Sequence, residues 1–197
     1  MNIKLSILIP YLPEPDSQNY LKRLLSILDN QGSFIDVEVI THDGPRSMPT
    51  GTKRNELIAR ATGDYITQID CDDTVPIYYV SEILKAIESN PDVITFIGYM
   101  TTNGRDRRNF TIKLGEKYEE RDGHYYRYPN HLCIYKKSLV QDVKFKPIWI
   151  QEDYQWATEI RDRGILKTEV HINKDMYHYE FITKTSPAIQ HMRSRIR

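Results

Sequence analysis

The feature that most limits what this chain can become is a regular alternation over its first hundred residues. Short apolar, β-rich runs alternate with segments whose apolar residues recur at helical spacing. Residues 3–9 read as a buried strand, and Pro10, Pro13 and Pro15 force a loop after it. Tyr20, Leu21, Leu24, Leu25 and Leu28 then share one face of a helix over 17–28, with Gly32 beyond as its stop. Residues 34–40 form a second strand that runs into Asp43-Gly44-Pro45. A helix over 52–61 closes at Gly63, and 65–69, 77–88 and 93–99 read as strand, helix and strand. This order predicts βαβ units and an α/β fold, a single domain with a mixed, mainly parallel central sheet flanked by helices. Such sheets take ligands beyond the carboxyl ends of their strands, where the alternation puts Asp43 and the cluster Asp70-Cys71-Asp72-Asp73.

The second half changes character. Residues 100–113 alternate loosely around Asn103-Gly104, a hairpin signal. Residues 115–129 are polar and Tyr-rich and read as a long loop. Residues 131–135 read as a strand, and 152–163 as a helix with Trp156, Ala157 and Ile160 inward and Gly164 as its stop. A last strand covers 165–172, and the tail from 183 is basic, with Arg193, Arg195 and Arg197.

Charge refines this division. Lys+Arg and Asp+Glu both number 27, which excludes an overall basic nucleic-acid binder and a highly charged disordered chain. The balance is a sum of opposites: residues 1–98 hold 8 basic against 14 acidic side chains, and residues 99–197 hold 19 against 13. Nothing approaches the ~20 apolar residues that span a bilayer, and the apolar start lacks the basic residues and cleavage site of a signal peptide. Cys71 and Cys133 are too few for a disulfide framework. The expectation is a cytoplasmic protein with reduced thiols and no integral membrane contact.

Three carboxylates within four residues repel one another unless a cation or hydrogen bonds compensate. At the end of a buried strand, Asp70, Asp72 and Asp73 form an oxygen-rich site suited to Mg²⁺ or Mn²⁺, which usually completes its shell with phosphate oxygens. The same residues could instead cap the next helix. An EF-hand fits poorly, because Val75 stands where its glycine belongs. Glu152-Asp153 opens a later helix, where carboxylates serve as caps or as a general base.

Taken in order, Ile7-Leu8-Ile9-Pro10-Tyr11, Gly51-Thr52-Lys53-Arg54-Asn55, Ala61-Thr62-Gly63-Asp64-Tyr65-Ile66, Ile69-Asp70-Cys71-Asp72-Asp73 and Glu152-Asp153-Tyr154-Gln155-Trp156 resemble the family 2 glycosyltransferases of GT-A fold. The resemblance covers about residues 3–165. It implies an inverting sugar transfer from a nucleotide sugar, a UDP-sugar by preference, to an acceptor hydroxyl, assisted by Mn²⁺ or Mg²⁺. It implies that Pro10, Tyr11 and Asp43 border the nucleoside, and that Lys53 and Arg54 lie near the nucleotide or its phosphates. Asp70 and Asp72 would bind the nucleotide sugar, and Asp72, Asp73 and a late His178 the metal. Asp153 would be the base, with Glu152 in support. It divides the domain into a nucleotide-sugar and metal half (1–99), an acceptor and base half (100–182) and a basic tail (183–197). Where the family's second strand often ends Asp-Asp-Gly-Ser, this chain has His42-Asp43-Gly44-Pro45.

Tyr128, His131 and Trp156 are the candidate acceptor contacts. Arg121, His124, Tyr125, Tyr126 and Arg127 interleave cations with rings, a mixture that suits sugars, bases and phosphates. Two acceptors are expected from this mixture, a glycan or lipid-linked sugar stacked on the rings, or a nucleic acid carrying a hydroxylated base with Arg105, Arg107, Arg108 and the basic tail on phosphates; a solvated loop without such contacts is the other reading. Two rivals stand beside the transferase. Asp70-Cys71-Asp72-Asp73-Thr74 also resembles the first motif of haloacid-dehalogenase-type phosphatases, with Asp70 as nucleophile and Asp72 as general acid. A non-catalytic nucleotide-sugar binder is the other.

Overall fold

The apolar run after Lys4 becomes β1 (Leu5–Pro10), buried at every residue, as suits a strand covered on both faces. In this computed structural model, which describes residues 3–183, β1 lies between β2 (Val37–His42) and β3 (Tyr65–Gln68), parallel to both. The crossovers are α1 (Pro15–Asp29) and α2 (Thr50–Arg60). Proline at the start of α1 suits a first helical turn, where its missing N–H is not needed. Leu21, Leu24 and Leu28 face inward from α1, each such side chain stabilising the fold by roughly 1.5–3 kcal/mol when fully buried. α2 buries Leu57 and Ile58, but also Lys53 and Arg54. α3 (Tyr79–Ile87) covers the sheet with Tyr79, Val80, Ile83 and Ala86.

Beyond β3 the sheet turns mixed. β4 (Val93–Thr102) and β5 (Arg105–Ile112) form the hairpin expected at Asn103-Gly104, both of which have positive φ (52° and 74°) as a tight two-residue turn requires. The segment 115–129 is not a plain loop. It holds a second hairpin, β6 (Glu119–Arg121) and β7 (His124–Arg127), turning at Asp122-Gly123 with φ of 51° and 74°. β8 (Ile134–Lys136) fits between β3 and β4, antiparallel to both. The short helix α4 (Lys137–Val140) and the helix α5 (Glu152–Asp162) lead to β9 (Glu169–Phe181), parallel to β4.

β9 is far longer than the expected 165–172 strand. Asn173 and Lys174 look like a break in the sequence, but they bulge: Ile172 pairs with Phe96, and Asp175 already pairs with Ile97. Of the eight strand pairings among the described residues, four are parallel and four antiparallel. "Mainly parallel" therefore holds only around β1, where helices supply the crossovers. The basic tail beyond residue 183 lies outside the described residues.

Candidate active site

Because β1, β2 and β3 run parallel, their carboxyl ends share one edge. Tyr11 donates its N–H to the His42 carbonyl (3.0 Å), and Lys53 reaches the Tyr11 carbonyl with Nζ (3.4 Å). Burial lowers the Lys53 pKa against the attraction of Glu14. Burial, then the charge of exposed Asp43, raises that of Tyr11. Gly44 leaves the room this needs, since an added Cβ would lie 2.8 Å from both Lys53 Cε and Met48 Sδ. The structure thus brings Pro10, Tyr11, Asp43 and Lys53 together.

Arg54 does not join them. It is 3 % exposed, and its guanidinium is spent on protein acceptors: Nη1 on Gln68 Oε1 (2.8 Å), Nη2 on Asp70 Oδ1 (2.8 Å) and Nε on Glu152 Oε1 (3.2 Å). The expectation that Arg54 lies near the nucleotide or its phosphates is corrected, because the side chain is buried and each of its three nitrogens already donates to a protein acceptor. It joins the end of β3 to the start of α5. Burial alone would raise the Asp70 carboxyl, but Arg54 and His131 outweigh it and hold Asp70 well below the ordinary carboxylate range. The neighbouring Asn55 pins the stretch before α5 with a two-way bond to the backbone of Phe145 (2.8 and 2.9 Å). The Arg-Asn pair is internal scaffolding.

Glu152 is buried beside Arg54, and burial raises its carboxyl despite that cation. Asp153, next along the first turn of α5, is half-buried, its side chain 35 % exposed. Gln151 before them has φ of +69°, a left-handed conformation rare for a residue with a side chain, at the very start of this helix. His131, in the loop before β8, lies between two carboxylates. Its Nε2 is 3.3 Å from Asp70 Oδ2 and its Nδ1 3.4 Å from Asp153 Oδ2. In sequence His131 reads as an acceptor contact, and only the fold reveals this bridge.

Asp73 is 1 % exposed and both its oxygens are used: Oδ2 accepts from the Tyr177 hydroxyl (2.7 Å) and Oδ1 from the Glu180 N–H (2.8 Å). Burial, then Asp72 and Asp70, push its carboxyl well above the usual range. His178 sits on β9 with Nδ1 on the Thr74 hydroxyl (3.2 Å) and Nε2 on the Thr101 hydroxyl (2.8 Å), stacked on Tyr99. Asp73 and His178 therefore hold the acidic turn to β9 and are not available as metal ligands, contrary to expectation. Among the described residues, no group of three or more His, Cys, Asp or Glu side chains is arranged to hold a metal. Asp72 differs. It is open to solvent on one side, while the protein packed around its other side, and then Asp70, raise its carboxyl to about 6. One open carboxylate completed by phosphate oxygens is how Mg²⁺ is often held, so the residues present fit a divalent cation at Asp72. Cys71 is buried, its thiol pushed up to about 12 by that burial, and Cys133 is buried too; both are free.

Trp156 is core, not an acceptor contact. It is 1 % exposed, stacks on Phe145 (4.6 Å between centroids) and donates Nε1–H to the Val143 carbonyl (2.9 Å). Tyr128 is likewise mostly buried, its hydroxyl on Thr158 (2.7 Å), and only edges a cavity of about 580 Å³ running along α5 beside Tyr118 and Tyr154. The arginines of the β5–β7 face are largely neutralised within the protein: Arg107 by Asp175, Arg108 by Glu120, Arg121 by Glu116 and Glu119. Another cavity, of about 640 Å³ beside Lys4, Gly63 and Lys137, opens at the amino ends of β1 and β3, the end opposite Asp70–Asp73. No helix among the described residues is long and apolar enough to cross a membrane.

The model of the family described as glycosyl transferase family 2 matches residues 17–149. The chain belongs to this family. Its fold is similar to crystal structures of S. aureus TarS. TarS 1-349 in complex with UDP-GlcNAc aligns with a TM-score of 0.65 at 15% identity, over 90% of this chain and 58% of that one. The UDP complex of the same fragment aligns with a TM-score of 0.66 at 16% identity, over 92% and 62%. Longer TarS aligns with a TM-score of 0.63, over 98% of this chain and 39% of that one. The chain thus spans about three-fifths of the TarS fragment. None of the curated proteins matches it. Family 2 membership sets aside the phosphatase reading, and the site agrees: Asp70, with both oxygens held by Arg54 and His131, is no free nucleophile. The family match ends at residue 149, before the Glu152-Asp153 pair.

Proposed function

We propose that this family 2 chain is an inverting glycosyltransferase that moves a sugar from a UDP-sugar to an acceptor hydroxyl, with Asp153 as general base. The observation that carries the reading is the division of labour at the carboxyl edge. Asp70, Asp73 and Glu152 are committed to protein partners, whereas Asp72, after β3, and Asp153, at the start of α5, keep carboxylates open to solvent. One open carboxylate suits a divalent cation shared with a donor diphosphate, and the other an acceptor hydroxyl.

Tyr11, Asp43 and Lys53 border the nucleotide, and Asp72 the sugar diphosphate, with Asp70 behind it held by Arg54 and His131. A Mn²⁺ or Mg²⁺ ion, when bound, would be held by Asp72 and would offset charge on the leaving diphosphate. The acceptor oxygen bonds to the anomeric carbon as the bond to the diphosphate oxygen breaks. The electron pair leaves on the diphosphate, and the acceptor proton passes to Asp153. The fold similarity to TarS bound to UDP-GlcNAc supports UDP as the carrier. A glycan hydroxyl is preferred over a modified nucleic acid because Arg107 and Arg108, two of the cations that would grip phosphates, pair with Asp175 and Glu120. The donor half is 1–99 and the acceptor half 100–182, with Tyr177 and Glu180 reaching back from the second to brace the first.

The test is Asp153→Asn in a UDP-sugar turnover assay beside a thermal-shift panel with and without Mn²⁺. Donor-induced stabilisation is retained, while turnover falls about 10²–10⁴-fold. Unchanged turnover removes Asp153 as base. No shift with any nucleotide sugar overturns the transferase reading and leaves neither a catalyst nor a binder.

A further inference from the structure

His131 is 7 % exposed, yet its imidazole faces carboxylates from two different elements. Asp70 follows β3 and Asp153 belongs to the first turn of α5; their oxygens lie 3.3 and 3.4 Å from Nε2 and Nδ1. Nε2 forms a hydrogen bond with Asp70, but Nδ1 is a buried nitrogen with no hydrogen-bond partner. A buried polar atom left unpaired is costly, so there is a driving force for Nδ1 to close on the oxygen it already faces. Asp70 cannot yield, because Arg54 holds its other oxygen at 2.8 Å. Arg54 in turn holds Glu152, the chain neighbour of Asp153. The adjustable member is Asp153.

We infer that His131 is the positioning residue for Asp153: as an imidazolium it donates from Nε2 to Asp70 and from Nδ1 to Asp153 Oδ2, so that Oδ1 is left aimed at the acceptor hydroxyl. This rests on Asp153 being the base. His131 exchanges no proton with substrate. It fixes which carboxylate oxygen is available, as a third group orients the base in other enzymes. Through Asp70 and Arg54 it also ties the orientation of the base to the strand that carries the donor carboxylates.

The test is a double-mutant cycle on UDP-sugar turnover, with UDP affinity and thermal midpoint measured for each variant. His131→Ala lowers kcat by up to about 100-fold, the cost of misplacing a reacting group by about an ångström, while the donor KM changes less than about threefold. His131→Ala added to Asp153→Asn costs nothing more, since the residue it positions is already gone. His131→Asn, whose amide nitrogen lies about where Nδ1 lies, recovers more kcat than His131→Gln, whose amide nitrogen lies about where Nε2 lies. Losses of the two single variants that multiply, or equal recovery by Asn and Gln, overturn the inference and leave His131 a structural residue. Full turnover in Asp153→Asn instead removes the base reading beneath it. A ring-nitrogen NMR signal of His131 that does not move in Asp153→Asn also overturns the contact, independently of turnover.

Discussion

Replacing Arg54 by Met tests the central pairing most directly. The guanidinium is almost fully buried and serves Gln68, Asp70 and Glu152 at 2.8, 2.8 and 3.2 Å. Met keeps the apolar stem against the ring of Phe145, over which the guanidinium lies at 5.9 Å, and deletes the charge. The Asp70 side chain is 30 % exposed, so water takes over part of what it loses. Glu152, at 7 %, has no such recourse. Breaking a buried pair by removing one partner costs about 3–5 kcal/mol. For a domain of this length that lowers Tm by roughly 6–20 °C, at about 2–4 °C per kcal/mol.

The pH dependence is specific to this explanation. Burial already lifts the Glu152 carboxyl above the ordinary glutamate value, with Arg54 pulling against it. Without Arg54 it rises further. A carboxyl whose folded-state value lies above its unfolded one contributes stability that is lost as pH rises through the folded-state value. The deficit of Arg54→Met against wild type therefore widens from about pH 5 to about pH 8. Urea unfolding followed by circular dichroism measures it, and adding Glu152→Gln recovers more than half of the loss at the upper pH. A deficit below about 1 kcal/mol, or one that is flat with pH, would refute the buried-pair argument.

Three further outcomes follow from the packing. Trp156→Ala removes the stacked partner of Phe145 and the bond to Val143, and should cost about 3–5 kcal/mol in urea unfolding; a loss under about 1 kcal/mol would mean that the ring is not core. Burial acts to raise the Glu38 carboxyl, but bonds from Ser6 and Thr62 prevail and lower it. Its stabilisation is present above the ordinary glutamate value and fades as pH falls, so the wild-type advantage over Glu38→Gln shrinks from about pH 5 to about pH 3, and an advantage constant with pH contradicts this. Gly51→Ala drives a Cβ into the backbone carbonyl of Lys146 and lowers stability by about 1–3 kcal/mol, read by calorimetry; an unchanged Tm would show that the loop gives way freely.

The local rules explain why much of the fold was legible. β1 and β3 follow from short apolar, β-rich runs and α1, α2 and α3 from a period of 3.6 in apolar residues, punctuated by proline and glycine. Asn103-Gly104 announced its hairpin, and Asp122-Gly123 carried the same signal for β6 and β7 but was masked by polar flanks that lack alternation. The motif glycine Gly63 was visible, though its reason was not: an added Cβ would lie 2.7 Å from Ser6 Oγ and 2.8 Å from Ser6 N.

By itself the sequence determined that strand ends would gather Tyr11, Asp43 and Asp70–Asp73, and that Glu152-Asp153 would open a helix, because these depend on chain direction and local period. The tertiary structure alone decided which carboxylates remain open. Arg54 looks like a ligand-facing cation in sequence and becomes a buried clamp. Tyr177 and Glu180 arrive 104 and 107 residues after Asp73 to occupy both its oxygens, and His131 comes to lie between Asp70 and Asp153. The physical reason is that a carboxylate's chemistry is set by what shares its few ångströms of low-dielectric surroundings. In this protein those neighbours come from strands and helices far apart in the chain.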